Sequence, residues 1–218
     1  MSRKRLTRED SRELTTQRLL DAAQKLIAKK GLSATSVEDI AETAGYTRGA
    51  FYSNFSSKGD LFIELLRRDH QNTHAELASL SSDEIPLDLI QARARALYGQ
   101  LFYDNESFMN WTEARMLAAR DTKFRAKLHA LVAEKRAQIA QFIDYFYKRT
   151  GVEPPVPATA LAMGFMSLVE GVKLSMLSVP ADMTPETAES VLSIFVDSIM
   201  QVARLHATGA DAARKSSK

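Results

Sequence analysis

Apolar residues recur along this chain at the three-to-four spacing of one helix face, and strand-like alternation is scarce. Leu19, Ala23, Leu26 and Ile27 form one stripe, which predicts a first helix over Glu13–Lys30, stopped by Gly31. A second helix is predicted to open at Thr35 or Ser36, because Thr35-Ser36-Val37-Glu38 has capping-box spacing, and to end at Gly45. Thr47 caps a third, two-turn helix reaching Asn54. A long fourth helix follows Ser57, carries Leu61, Phe62, Leu65 and Leu66, and reaches Leu80. After the loop at Ser81–Pro86, further helices are expected from Pro86 to near Asp104, over Glu106–Arg120 and over Thr122–Thr150. Three prolines make Gly151–Pro157 a loop. An eighth helix is expected over Ala158–Leu177. A ninth opens at Thr184-Pro185-Glu186 and ends near Ala207, and residues 208–218 are expected to be a disordered tail. The expectation is an all-α fold of about nine helices.

Composition narrows the function classes. The chain has 218 residues, 45% apolar and 26% charged, enough to build a core without disulfides or a structural metal. Cysteine is absent, which removes thiol nucleophiles and thiolate zinc sites and is compatible with a reducing cytoplasm, the expected location. The polar, basic start of the chain gives no reason to expect a secretory leader. The longest apolar stretch, Ala158–Val179, is interrupted by Ser167, Glu170, Lys173 and Ser175, which argues for a buried helix and against a membrane span. No phosphate loop, Gly-x-Ser-x-Gly elbow or His-Glu-x-x-His is present, so an enzyme is a remote alternative and no cofactor is implied. His70 and His74 share one helix face, but no motif supplies further metal ligands, and a solvated surface explains them. Residues 1–30 hold nine Lys/Arg against four acids, hence +5, leaving −3 for the remainder of a chain of net charge +2. Such an arm, with Arg3, Lys4 and Arg5 at its tip, suits a polyanion or is a solvated tail.

The run Ser36–Phe55, SVEDIAETAGYTRGAFYSNF, predicts two short helices joined by a tight turn at Gly45. Val37, Ile40, Ala41, Ala44, Phe51 and Phe55 are its expected buried positions. The outer face of the second helix carries Thr47, Arg48, Gly49, Tyr52, Ser53 and Asn54, with hydrogen-bonding groups and no acid. Such a face suits the major groove of DNA, where acids would repel phosphate. Gly49 costs about 1 kcal/mol against Ala, which close backbone approach to DNA, helix packing or drift could each explain.

The pieces R-L-L-D-A-A-Q-K-L-I-A-K-K-G (Arg18–Gly31), T-S-V-E-D-I-A-E-T-A-G (Thr35–Gly45), T-R-G-A-F-Y-S-N-F (Thr47–Phe55) and S-K-G-D-L-F (Ser57–Phe62) closely resemble the N-terminal domain of TetR/AcrR-family transcriptional regulators. The resemblance implies a three-helix DNA-binding domain over residues 1–60 and a larger ligand-binding and dimerisation domain over 61–207, linked by a helix at 58–80. It implies that Tyr46, Thr47, Arg48, Gly49, Tyr52 and Asn54 lie at the groove, with Arg48 on a base edge. Thr35, Ser36, Tyr52 and Lys58 would grip phosphates. The family commonly has His or Tyr where this chain has Asn54. A repressor released from a palindromic operator by a small molecule is the implied function. An activator or a ligand-independent architectural protein is the alternative.

Beyond that domain the pattern is less specific. The eighth helix sets Ala158, Ala162, Ser167 and Gly171 among Leu161, Phe165, Leu168 and Val172. The ninth adds Val191, Leu192, Ile194, Phe195, Ile199 and Val202. These wide apolar arcs fit a homodimer interface, although interface and core look alike in one sequence. Phe102, Tyr103, Phe108, Met109, Trp111, Met116, Met163, Met166 and Met176 fit the wall of a pocket for an apolar effector, or plain core. Glu113 and Glu170 stand among them and could face a cationic or hydroxylated ligand or pair with a nearby base.

Overall fold

The computed structural model describes residues 7–198, and these are helical with no strand among them. The helices are α1 (Arg8–Ala34), α2 (Val37–Thr43), α3 (Arg48–Tyr52), α4 (Lys58–Ser79), α5 (Leu87–Tyr103), α6 (Asn105–Arg120), α7 (Thr122–Thr150) and α8 (Ala158–Ser178). A ninth, α9, occupies residues 185–198. The predicted all-α class and order of elements therefore hold. Arg3, Lys4 and Arg5, the far end of the ninth helix with Ile199 and Val202, and the expected tail lie outside the described residues.

Two compact units form, and they are not collinear with the sequence. One comprises the described residues up to Asn72 together with Asp104–Leu131. The other comprises Thr73–Tyr103 and the described residues from Val132 onward. The unit boundaries fall inside α4, between α5 and α6, and inside α7, so that α6 lies with the N-terminal helices.

In the first unit, Thr7 starts α1 with a reciprocal cap. Its hydroxyl accepts from Asp10 N–H at 3.1 Å, and Asp10 accepts from Thr7 N–H at 2.9 Å. This box, absent from the sequence-based expectation, begins the helix five residues before Glu13. Gly31 interrupts the helical path at φ +80°, as expected for the stop, and one further turn follows it. Leu19, Leu20, Ala23 and Ile27 of α1 are buried with Ile40, Ala41, Phe51, Phe55 and the apolar face of α4. Ala114 and Ala118 of α6 are buried too, small residues where α6 lies against α1. Phe62 stacks on Phe124 with ring centroids 5.9 Å apart.

The second unit has its own core. Leu77, Leu80, Ile90, Ala94 and Leu97 pack with Ile139, Phe142, Ile143, Phe146 and Tyr147 of α7 and with Ala158, Ala162 and Phe165 of α8. Phe165 stacks on Phe195 at 6.2 Å, which seats α9 on α8. Helix α8 was expected to be buried, but only one of its faces is. Met163, Leu174 and Leu177 are exposed, as are Val179 just beyond it and Ile194, at 67%, on α9. By length and composition α8 could cross a membrane. Glu170 and Lys173 oppose that, since a charge at the bilayer centre costs about 2.5–3.5 kcal/mol.

Candidate nucleic-acid interface

The segment 36–55 lies wholly in the first unit, and its caps explain its shape. Ser36 has extended backbone and closes a capping box with Asp39: Asp39 N–H donates to Ser36 Oγ at 3.0 Å and Ser36 N–H to Asp39 Oδ2 at 2.9 Å. The box therefore sits one residue later than the Thr35–Glu38 box expected from spacing. The reason is that Thr35 is fully buried (0% exposed) and its hydroxyl donates to Gly31 O at 2.8 Å. Lys30 adds an ion pair to Asp39 at 2.8 Å. Lys30 and the Ser36 backbone together hold the Asp39 carboxyl well below the usual carboxylate range.

Gly45 ends α2 at φ +76°. Tyr46 N–H reaches Ala41 O at 2.8 Å and Gly45 N–H reaches Glu42 O at 3.0 Å, the paired bonds of a Schellman turn. Thr47, extended, then caps α3 by accepting from Ala50 N–H at 3.3 Å. Phe51 and Phe55 anchor α3 inward, while Val37 and Ala44 are only half-buried.

The opposite face of α3 presents Thr47, Arg48, Gly49, Tyr52 and Ser53 to solvent, with Tyr46 half-buried beside them. A Cβ added to Gly49 would meet only Thr47 Oγ1, at an ordinary 3.7 Å. Packing within the chain therefore does not require glycine there. Arg48 pairs with Glu38 at 2.8 Å, and its guanidinium lies 5.5 Å from the centre of the Tyr52 ring.

Three of the expected contact residues are engaged within the protein. Thr35 is buried as described. Asn54 Nδ2 donates to Ala50 O at 2.7 Å, and its Oδ1 accepts from Thr16 Oγ1 at 3.1 Å, which ties the end of α3 to α1. Lys58 Nζ donates to Leu32 O at 2.5 Å and Thr35 O at 2.6 Å. Partial burial pushes the Lys58 ammonium below the usual lysine range, opposed by the nearby Asp39 charge. Ser36 stays exposed at the α2 N-terminus.

The residues expected to wall a pocket divide between the units. In the first, Phe108 and Trp111 are half-buried and Met116 is exposed. Glu113 accepts from Leu32 N–H at 3.0 Å, at the bend of α1. In the second, Met163 is exposed, Met166 packs on the core and Glu170 is half-buried. Phe102 and Tyr103 belong to α5, their side chains outside the described residues. His70 on α4 is buried, not solvated, and the side chain of His74 lies outside the described residues. The Glu38–Arg48, Thr16–Asn54 and Glu113–Leu32 contacts were not foreseen, since each depends on how the chain turns between distant positions.

A capped helix, a Schellman turn and a second capped helix with a polar, acid-free outer face define a helix-turn-helix. Residues 19–65 match the model for bacterial regulatory proteins of the tetR family. The chain is 36% identical over 102 residues to the transcriptional regulator TtgR of Pseudomonas putida, covering 46% of this chain and 48% of TtgR. It thus spans less than half the length of the curated relatives TtgR, ArpR and AcrR. A crystal structure of a putative TetR-family regulator from Rhodococcus sp. superposes with a TM-score of 0.73 at 22% identity, covering 86% of this chain and 99% of that one. SmeT, the repressor of the Stenotrophomonas maltophilia multidrug efflux pump SmeDEF, superposes at 0.63 with 20% identity, covering 86% and 89%. SmeT in complex with triclosan gives 0.66 with 21% identity over 86% and 90%. The N-terminal segment is thus similar to that of the tetR-family regulatory proteins, and the fold is shared with solved structures along most of the chain's length.

Proposed function

We propose that the protein is a transcriptional repressor that reads a palindromic operator as a homodimer and leaves it when a small, apolar effector binds. One observation carries this: the outer face of α3, with Arg48, Gly49 and Tyr52 exposed and no acid on the helix, in a segment that matches the family model. In this reading Arg48 contacts a base edge, bidentate to guanine. Gly49 lets the backbone approach the groove. Ser36, Thr47 and Tyr52 grip phosphates, Ser36 and Thr47 aided by the helix N-termini they cap. Tyr46 flanks the groove. Thr35, Asn54 and Lys58 act behind the surface, holding the two motif helices in place.

A five-residue reading helix offers few contacts, so a two-fold dimer is needed to double them. The exposed apolar residues of α8 and α9 support a dimer through that face. The effector is proposed from the family and from the SmeT–triclosan complex, and Met166 and Glu170 are the candidates on α8. A cytoplasmic location accompanies this reading.

The test is selection of bound duplexes from a random DNA pool by the purified full chain. An enriched palindrome is expected. Retention of DNA without any enriched sequence would point to an architectural role and overturn the proposal.

A further inference from the structure

The geometry points to Glu38 as a specificity-determining positioning residue, which buttresses Arg48 for the groove and withholds it from phosphate. This rests on the DNA-reading function proposed above. Glu38 lies in the first turn of α2, and Arg48 is the first residue of α3. The turn at Gly45 brings them together, Arg48 Nη1 to Glu38 Oε1 at 2.8 Å. The neighbouring acid, Asp39, is committed to Lys30 and the Ser36 cap, so Glu38 is the first-turn carboxylate that meets the reading helix.

Both partners are largely exposed, with side-chain accessibilities of 64% for Arg48 and 55% for Glu38. An exposed pair of this kind contributes little to stability, and its consequence lies in where it holds the guanidinium. Glu38 takes the Nη1 side, and the Tyr52 ring lies 5.5 Å from the guanidinium carbon. A long side chain with about 2 kcal/mol of rotamer entropy is thus biased toward a place between an acid and a ring. The Nε and Nη2 donors form the fork that remains, and such a fork matches the O6 and N7 acceptors of guanine.

The carboxylate also sets the charge balance. On a sequence with no guanine in reach, Arg48 would gain by swinging to a phosphate. The Glu38 carboxylate opposes that move by pairing with Arg48 and by repelling the phosphate. The buttress therefore favours the base contact and disfavours binding by backbone charge alone, and both effects widen the ratio of operator to non-operator affinity.

The experiment measures both affinities as a function of salt for the full-length wild type, Glu38→Gln, Arg48→Ala and the double variant, with Glu42→Gln as control. Glu42 is an exposed acid on the same helix, so its variant reports the effect of removing one charge. Glu38→Gln is expected to lower the operator to non-operator ratio about three- to tenfold and to steepen the salt dependence on non-operator DNA by about one phosphate contact. In the Arg48→Ala background the same substitution is expected to leave the ratio unchanged. A ratio unaffected by Glu38→Gln, an effect equal to that of Glu42→Gln, or an effect that persists without Arg48 would each overturn the assignment. Failure of the wild type itself to prefer any sequence would instead count against the DNA-reading function.

Discussion

At the scale of single residues, the proposed interface divides into groups turned outward and groups that hold them. Arg48 is outward, and Arg48→Ala is expected to cost about 1–3 kcal/mol of operator affinity and to relax preference at one base position in each half-site. Asp39 is a holding group. Its carboxyl is depressed by Lys30 and by the Ser36 cap, so its stabilising effect is present above the unfolded-state value near 3.8 and is lost only as pH falls through the lower folded-state value. Carboxyl titration by NMR is expected to find Asp39 below 3.8, and Lys30→Ala is expected to move it upward. An Asp39 that titrates at 3.8 in the folded protein would show that the Lys30 and Ser36 bonds do not persist in solution. Residue types on the outer face of α3 were readable in the sequence, since capping and spacing are local. The bonds that Thr35, Asn54 and Lys58 make within the chain were not. Each residue bonds a carbonyl or hydroxyl whose position depends on the α1 bend or on the turn into α3.

At the scale of elements, the bend of α1 at Gly31 organises the first unit. Gly31 takes φ +80°, and a Cβ there would approach Glu113 Oε1 to 3.4 Å. Just beyond it, Glu113 of α6 accepts from Leu32 N–H, and Lys58 of α4 takes the carbonyls of Leu32 and Thr35. Three helices thus meet at five residues that lead straight into α2. Gly31→Ala is expected to destabilise the protein by about 1–2 kcal/mol through left-handed strain. Glu113→Ala leaves a buried N–H unpaired and is expected to cost about 1–3 kcal/mol, while Glu113→Gln, which keeps an acceptor, costs less. Urea unfolding of the three variants measures both effects, and equal costs for the two Glu113 substitutions would show that the acceptor is unimportant. The glycine stops at 31 and 45 were visible in advance because each needs a positive φ. The Ser36–Asp39 box was misplaced by one residue because two overlapping hydroxyl–acid spacings compete, and only burial of Thr35 decides between them.

For the whole molecule, the two units interleave along the chain. Apolar periodicity marks which face of a helix is buried but not against which helix, so α6 could not be assigned to the N-terminal unit from sequence. The same ambiguity leaves α8 readable from sequence as either core or interface. Its exposed apolar residues, with Val179 and Ile194, are those on which the dimer proposal rests. Leu174→Glu with Ile194→Glu is expected to convert a dimer to a monomer in sedimentation, with helix content retained. A monomeric wild type would refute that interface.

The central claim is that Arg48, on a short acid-free helix, reads a base. Parallel selections from one random duplex pool, with wild type and Arg48→Ala, test it most directly. The wild type should enrich a palindrome, and the variant should enrich the same palindrome with discrimination lost at one symmetric pair of positions. An identical enriched sequence for both proteins would contradict the assignment of Arg48, and no enrichment by the wild type would contradict the reading function itself.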